Sequence, residues 1–129
     1  MTGYLLDATV VFAAASGEQA TLARLAVLEA ANVATSAIVW SELMAAAPGK
    51  DRRLAENLRL IGETLDLLPF DRVSADAYGA LMRELEPKRR RVLDRMVAAQ
   101  ALALGRTLVT LNIADYVDIR GLTIEDWSV

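Results

Sequence analysis

Tyr4-Leu5-Leu6-Asp7 is the stretch on which the fold turns. A short apolar run that stops at a carboxylate reads as a buried strand with an acid at its C-terminal end. Near the other end of the chain, Thr107-Leu108-Val109-Thr110 repeats the form and gives way to the polar residues Asn112 and Asp115. In open α/β sheets the carboxyl ends of the strands line the ligand crevice, so acids far apart in sequence meet there. Acids that meet without a basic partner repel or protonate unless a cation joins them.

Between these two runs the pattern alternates. Ala-rich residues 8–15 suggest a short helix broken at Gly17. Residues 18–31 carry Leu22, Leu25, Val27 and Leu28 at helical spacing. Residues 32–36 fit a strand, and Ser36 is placed to cap a helix that carries Ile38, Glu42, Leu43 and Met44 and ends at Pro48-Gly49. Residues 51–63 read as a helix with Leu54, Leu58 and Ile61 on one face. Residues 65–70 read as a strand, and residues 74–85 as a helix started by Ser74 and stopped before Pro87. Asp94 is expected to open a helix over 95–104, closed by Gly105. The run at Thr107 is the next strand, and residues 122–127 fit an edge strand. Alternation of this kind predicts one domain over residues 1–129, a three-layer α/β/α sandwich with a central parallel sheet.

Composition narrows the chemistry. The 129 residues are 54% hydrophobic, ample for one core, and the run at 10–15 falls far short of the roughly 18 apolar residues a membrane span needs. The N-terminus has no basic segment, and Asp7 sits where a signal peptide would be apolar, so a soluble, cytoplasmic protein is expected. There is no cysteine and no histidine. Disulfides, thiol nucleophiles, Ser-His-Asp hydrolysis and histidine-based RNA cleavage are thereby excluded. What remains is oxygen chemistry: 17 carboxylates, suited to hard cations such as Mg2+ or Mn2+. The net charge of -3 argues only mildly against a nucleic-acid partner, because acids that bind metal lower the formal count.

Asp7, Glu42, Asp94 and the Asn112/Asp115 pair stand out because most are set among apolar neighbours. A carboxylate in such surroundings is costly unless paired, hydrogen-bonded or metal-bound. Each has an ordinary explanation taken alone. Asp7 and Asp94 are good helix caps, Glu42 fits a solvated helix face, and Asn112 and Asp115 are common turn formers.

In their joint order they resemble the PIN-domain ribonucleases, most closely the VapC-type toxins of toxin–antitoxin modules. Tyr4-Leu5-Leu6-Asp7, Thr35-Ser36 through Ser41-Glu42-Leu43, and Leu93-Asp94-Arg95-Met96-Val97-Ala98-Ala99 carry the first part of that resemblance. Gly105-Arg106-Thr107-Leu108-Val109-Thr110-Leu111-Asn112, Asp115-Tyr116 and Gly121-Leu122-Thr123-Ile124-Glu125-Asp126-Trp127 carry the rest. The resemblance implies metal-site acids at Asp7, Glu42 and Asp94, with the fourth catalytic acid position falling on Asp115 or Asn112. It implies Mg2+ or Mn2+ as cofactor, RNA as substrate, an antitoxin partner and a homodimer. Thr9, Thr110 and Asn112 are expected to support the site. Hydrolysis would leave a 5′-phosphate and a 3′-hydroxyl.

The chain departs from the family pattern in two places. Ala8-Thr9 stands where a hydroxyl residue and then asparagine are usual, and Gln100 stands where a histidine is frequent. Thr9 keeps a hydroxyl that is expected to orient a water or phosphate.

The basic run Lys88-Arg89-Arg90-Arg91, with Arg95, flanks Asp94 and is expected to hold RNA phosphates, although such a run by itself is ordinarily a solvated loop. The apolar stripe of residues 18–31 and the segment 44–47 are ordinary core, with part available to a dimer or antitoxin groove. The alternative function is a catalytically weakened PIN-like RNA-binding or interaction module. Haloacid-dehalogenase-like phosphotransferases begin with a similar strand but need a second acid where Thr9 stands.

Overall fold

The computed structural model describes residues 3–46, 49, 51–85 and 91–129. Five parallel strands form one sheet: β1 (Tyr4–Leu6), β2 (Val33–Ser36), β3 (Asp66–Leu68), β4 (Thr107–Thr110) and β5 (Ile124–Asp126), in the order β3-β2-β1-β4-β5. Among the described residues six α-helices connect and cover them: α1 (Ala8–Ala15), α2 (Gln19–Ala26), α3 (Ala37–Ala46), α4 (Arg52–Thr64), α5 (Arg72–Glu84) and α6 (Val92–Leu104). The three inner strands read as apolar runs because helices bury them on both faces. Leu5, Leu6 and every residue of β2 and β4 are buried.

The strand order fixes where the site lies. From β1 the chain builds outward through β2 and β3, then crosses back to place β4 on the other side of β1. The carboxyl ends of β1 and β4 therefore flank the point where the winding reverses, the position at which open α/β sheets bind ligands. Leu6 pairs with Val109, and the Asp7 amide donates to the Val109 carbonyl at 3.0 Å. Asp7 and Asn112 thus leave the sheet at the same edge.

Several boundaries differ from the sequence expectation. α2 stops at Ala26, because Leu28 N–H closes a tight turn on Leu25 (3.1 Å) and Asn32 N–H closes another on Glu29 (2.9 Å), steering the chain into β2. α5 is capped by Asp71, whose carboxylate accepts from Ser74 N–H at 3.0 Å; Ser74 itself is buried in the first turn. α6 starts at Val92, so Asp94 lies inside its first turn, where the helix dipole favours an acid. β3 ends at Leu68, just before Pro69. Gly105 closes α6 in the left-handed conformation (φ 64°), as expected for a glycine stop. Among the described residues no helix is long and apolar enough to cross a membrane.

Candidate functional site

Asp7 follows β1 directly and is 3% exposed. It caps α1, accepting from Val10 N–H at 3.2 Å through Oδ1. The same oxygen accepts from the Thr9 hydroxyl at 2.5 Å, and Oδ2 accepts from the Tyr116 hydroxyl at 3.1 Å. Capping and a site role are therefore compatible at this residue. Its base is held by the Thr35 hydroxyl, which donates to the Leu6 carbonyl at 2.7 Å. Ser36 caps α3 as expected, accepting from Ile38 N–H at 3.0 Å, and α3 carries Glu42.

Glu42 feels the charge of Asp94 and Asp7, and Asp94 feels that of Asp7. The Glu42 carboxyl is pushed above its ordinary range by partial burial, then by Asp94 and Asp7. The Asp94 carboxyl is also pushed up, first by burial and further by Asp115 and Asp7, with Arg91 acting in the opposite direction. After β4, Thr110 Oγ1 accepts from Asn112 N–H at 2.9 Å and shapes the turn. Asn112 Nδ2 then donates to Asp115 Oδ2 at 3.0 Å. Asp115 is thus the acid that faces Asp94, and Asn112 orients its carboxylate.

The four acids gather in one electrostatic neighbourhood, but the expected convergence on one ion is not preformed. Among the described residues, no three His, Cys, Asp or Glu side chains stand close enough together to hold a metal ion. Three of the four carboxylates take local donors. Asp7 is held by Thr9, Val10 and Tyr116, while Arg91 Nη1 lies 3.4 Å from Asp94 Oδ2 and 3.3 Å from Asp115 Oδ1. The donor set nonetheless fits a hard divalent cation. It is all oxygen, the neighbouring acids raise the proton affinity of Glu42 and Asp94, and two of its members already draw in a guanidinium.

The basic residues divide. Lys88, Arg89 and Arg90 lie outside the described residues. Arg91 sits on the acids. Arg95 corrects the expectation of an RNA contact: it is 2% exposed, and its two terminal nitrogens meet the Asp118 oxygens at 2.8 and 2.9 Å. A charge this deeply paired cannot reach a phosphate. Thr9 also departs from expectation. Its oxygen accepts from Leu111 N–H at 3.0 Å, so its only proton goes to Asp7 rather than to a water or phosphate.

Tyr116 was not foreseen as a site residue. It is 1% exposed, and burial together with Asp7 and Asp94 raises its pKa strongly, so its hydroxyl remains a donor. Its partner is 109 positions away, which leaves no local signal. Gln100, in place of the frequent histidine, is fully buried and donates to the Pro69 carbonyl at 3.0 Å. It ties α6 to the end of β3.

Comparison with known proteins agrees with this architecture. The family model of the PIN domain matches residues 4–116. The tRNA(fMet)-specific endonuclease VapC of Shigella flexneri is 27% identical over 99% of this chain and 100% of that protein. Ribonuclease VapC2 of Rickettsia felis is 31% identical over 75% of each. A solved structure of VapBC2 from Rickettsia felis, bound to a DNA fragment from their promoter, superposes with a TM-score of 0.85 at 29% identity, covering 96% of this chain and 98% of that one. With its strand order, its edge of acids and these relatives, the chain belongs to the PIN-domain family, among the VapC-type toxins.

Proposed function

We propose that this chain is a divalent-metal-dependent endoribonuclease and the toxin half of a toxin–antitoxin pair, with residues 1–129 acting as one domain in the cytoplasm. The observation that carries this reading is the meeting of Asp7, Glu42, Asp94 and Asp115 at the reversal point of the sheet, in a chain without histidine or cysteine. Asp7, Glu42 and Asp94 are the residues to hold Mg2+ or Mn2+, with Asp115 as the fourth acid. A cation held there would supply an activated water and offset charge on the scissile phosphate.

The chain's own groups do the positioning. Thr9, Val10 N–H and Tyr116 fix Asp7; Asn112 fixes Asp115; α3 and α6 bring Glu42 and Asp94 to the strand ends. No side chain need form a covalent intermediate.

The partner reading draws on a cavity of about 470 Å³ between α2 and α4, lined mainly by Leu22, Leu25, Leu28, Leu60 and Ile61. An apolar groove of this kind suits an amphipathic antitoxin segment. A homodimer is also proposed, and light scattering at micromolar concentration checks it; a strict monomer would count against it.

RNA cleavage by the purified chain, with and without chelator, tests the reaction. D7N and D94N should abolish divalent-dependent cleavage while circular dichroism shows an intact fold. Undiminished cleavage by a folded D94N protein would remove Asp94 from the mechanism, and chelator-resistant cleavage would sink the metal reading. The rival reading, a PIN-like binding module, rests on the Ala8-Thr9 pair. It predicts no Mg2+ binding by calorimetry.

A further inference from the structure

The hydrogen bonds on Asp7 can be counted oxygen by oxygen. A carboxylate oxygen offers two lone-pair sites. Oδ1 receives the Thr9 hydroxyl at 2.5 Å and Val10 N–H at 3.2 Å, so both of its sites are used. The Thr9 hydroxyl is the donor in that contact, while its own oxygen accepts from Leu111 N–H at 3.0 Å. Oδ2 receives one donor, the Tyr116 hydroxyl at 3.1 Å. One lone pair on Oδ2 is left.

Tyr116 arrives from the turn after β4, packed in the core at 1% exposure, so its hydroxyl is held rather than searching. From there it donates to Asp7 Oδ2 at 3.1 Å. Phenylalanine would fill the same space and leave the whole of Oδ2 open, with the carboxylate held through Oδ1 alone.

We infer that Tyr116 is a positioning residue for the cation site: its hydroxyl and Thr9 together clamp the Asp7 carboxylate, so that Asp7 offers a cation a single oxygen, Oδ2, in a fixed direction. This rests on the reading of Asp7 as a cation ligand. Hydrogen-bond partners of metal ligands act by preorganising them, and their loss typically costs tenfold or more in metal affinity.

The test measures Mn2+ binding to the full chain by electron paramagnetic resonance, comparing wild type, D7N and Y116F. The expected result is loss of the site in D7N and roughly tenfold weaker binding in Y116F. A purely structural role for Tyr116 would lower the melting temperature in chelator and leave Mn2+ affinity alone.

A second measurement avoids the variant. The chain has 3 tyrosines. In fluorotyrosine-labelled protein, the Tyr116 resonance should move on Mg2+ saturation, and should not move in D7N. Wild-type or tighter Mn2+ affinity in folded Y116F, or a Tyr116 resonance indifferent to Mg2+, overturns the assignment of Tyr116 alone. Wild-type Mn2+ binding by D7N overturns the cation reading of Asp7 and this inference with it.

Discussion

Arg95 and Asp118 form a two-pronged ion pair, at 2.8 and 2.9 Å, that fastens α6 to the turn carrying Asp115 and Tyr116. One end of the pair is buried and the other partly wet: Arg95 is 2% exposed, and the Asp118 side chain is 24% exposed. Removing the acid leaves a guanidinium in the core without its carboxylate. Such losses are costly in buried pairs, and the partial exposure of Asp118 moderates this one. D118A should therefore destabilise the fold by about 2–3 kcal/mol. Urea unfolding checks it, and an unchanged midpoint would mean the pair contributes nothing net. Because the turn also bears Tyr116 and Asp115, D118A should weaken cleavage beyond what its unfolded fraction explains.

Gly62 is a packing requirement. A Cβ built there would lie 2.6 Å from Trp40 Cη2 and 2.8 Å from Cζ2, so α3 and α4 meet where only a hydrogen fits. Alanine favours a helix interior over glycine by about 1 kcal/mol. Displacing a partly buried indole costs more, as overpacking typically takes about 1–3 kcal/mol. G62A should come out less stable, with a changed tryptophan emission. A G62A protein more stable than wild type would show that the ring moves aside freely.

Glu42 gives a pH prediction whose sign is fixed by its cause. Burial, Asp94 and Asp7 all favour its protonated form, so its folded pKa lies above the unfolded value near 4.5. The folded state then binds the proton more tightly than the unfolded one. The associated stability is complete below that unfolded value and is lost as pH rises through the raised folded value. In chelator, E42Q should melt higher than wild type at pH 7, and the difference should vanish in acid. Solvent access to Glu42 keeps the effect small, roughly 1–3 °C. Equal melting at pH 7 would mean that neither burial nor the neighbouring acids disfavour the Glu42 carboxylate in the folded protein.

The sheet was readable because its inner strands are buried on both faces, which turns residues 4–6 and 107–110 into plain apolar runs. Asp7 was readable for the same reason, since an acid after such a run has to be explained. The start of α6 was less so. An aspartate suits both the cap and the first turn, and local sequence does not separate the two. Arg95 looked like part of the basic run because its partner lies 23 positions away. Thr9 looked free because its acceptor role depends on Leu111, across the sheet edge. What escaped was side-chain pairing at long range, which only the strand order brings about.

Arg91 supplies the last prediction. Its side chain is 60% exposed and stands between Asp94 and Asp115, so a cation arriving at these acids competes with it. Exposed ion pairs are weak, each contributing up to about 1 kcal/mol, so the competition should be modest. R91Q should tighten Mn2+ binding roughly three- to tenfold. The same substitution should weaken single-stranded RNA binding, because a guanidinium released from the acids lies at the border of the site, next in sequence to Lys88, Arg89 and Arg90. Losing one phosphate contact should lower the salt slope by about 0.7 and leave the cut sites where they were, since phosphate contacts carry no sequence information. Replacing Arg89, Arg90 and Arg91 together should flatten the slope further. Weaker Mn2+ binding in R91Q would show that Arg91 supports the acids rather than competing for them, and an unchanged salt slope would leave the basic run as a solvated segment.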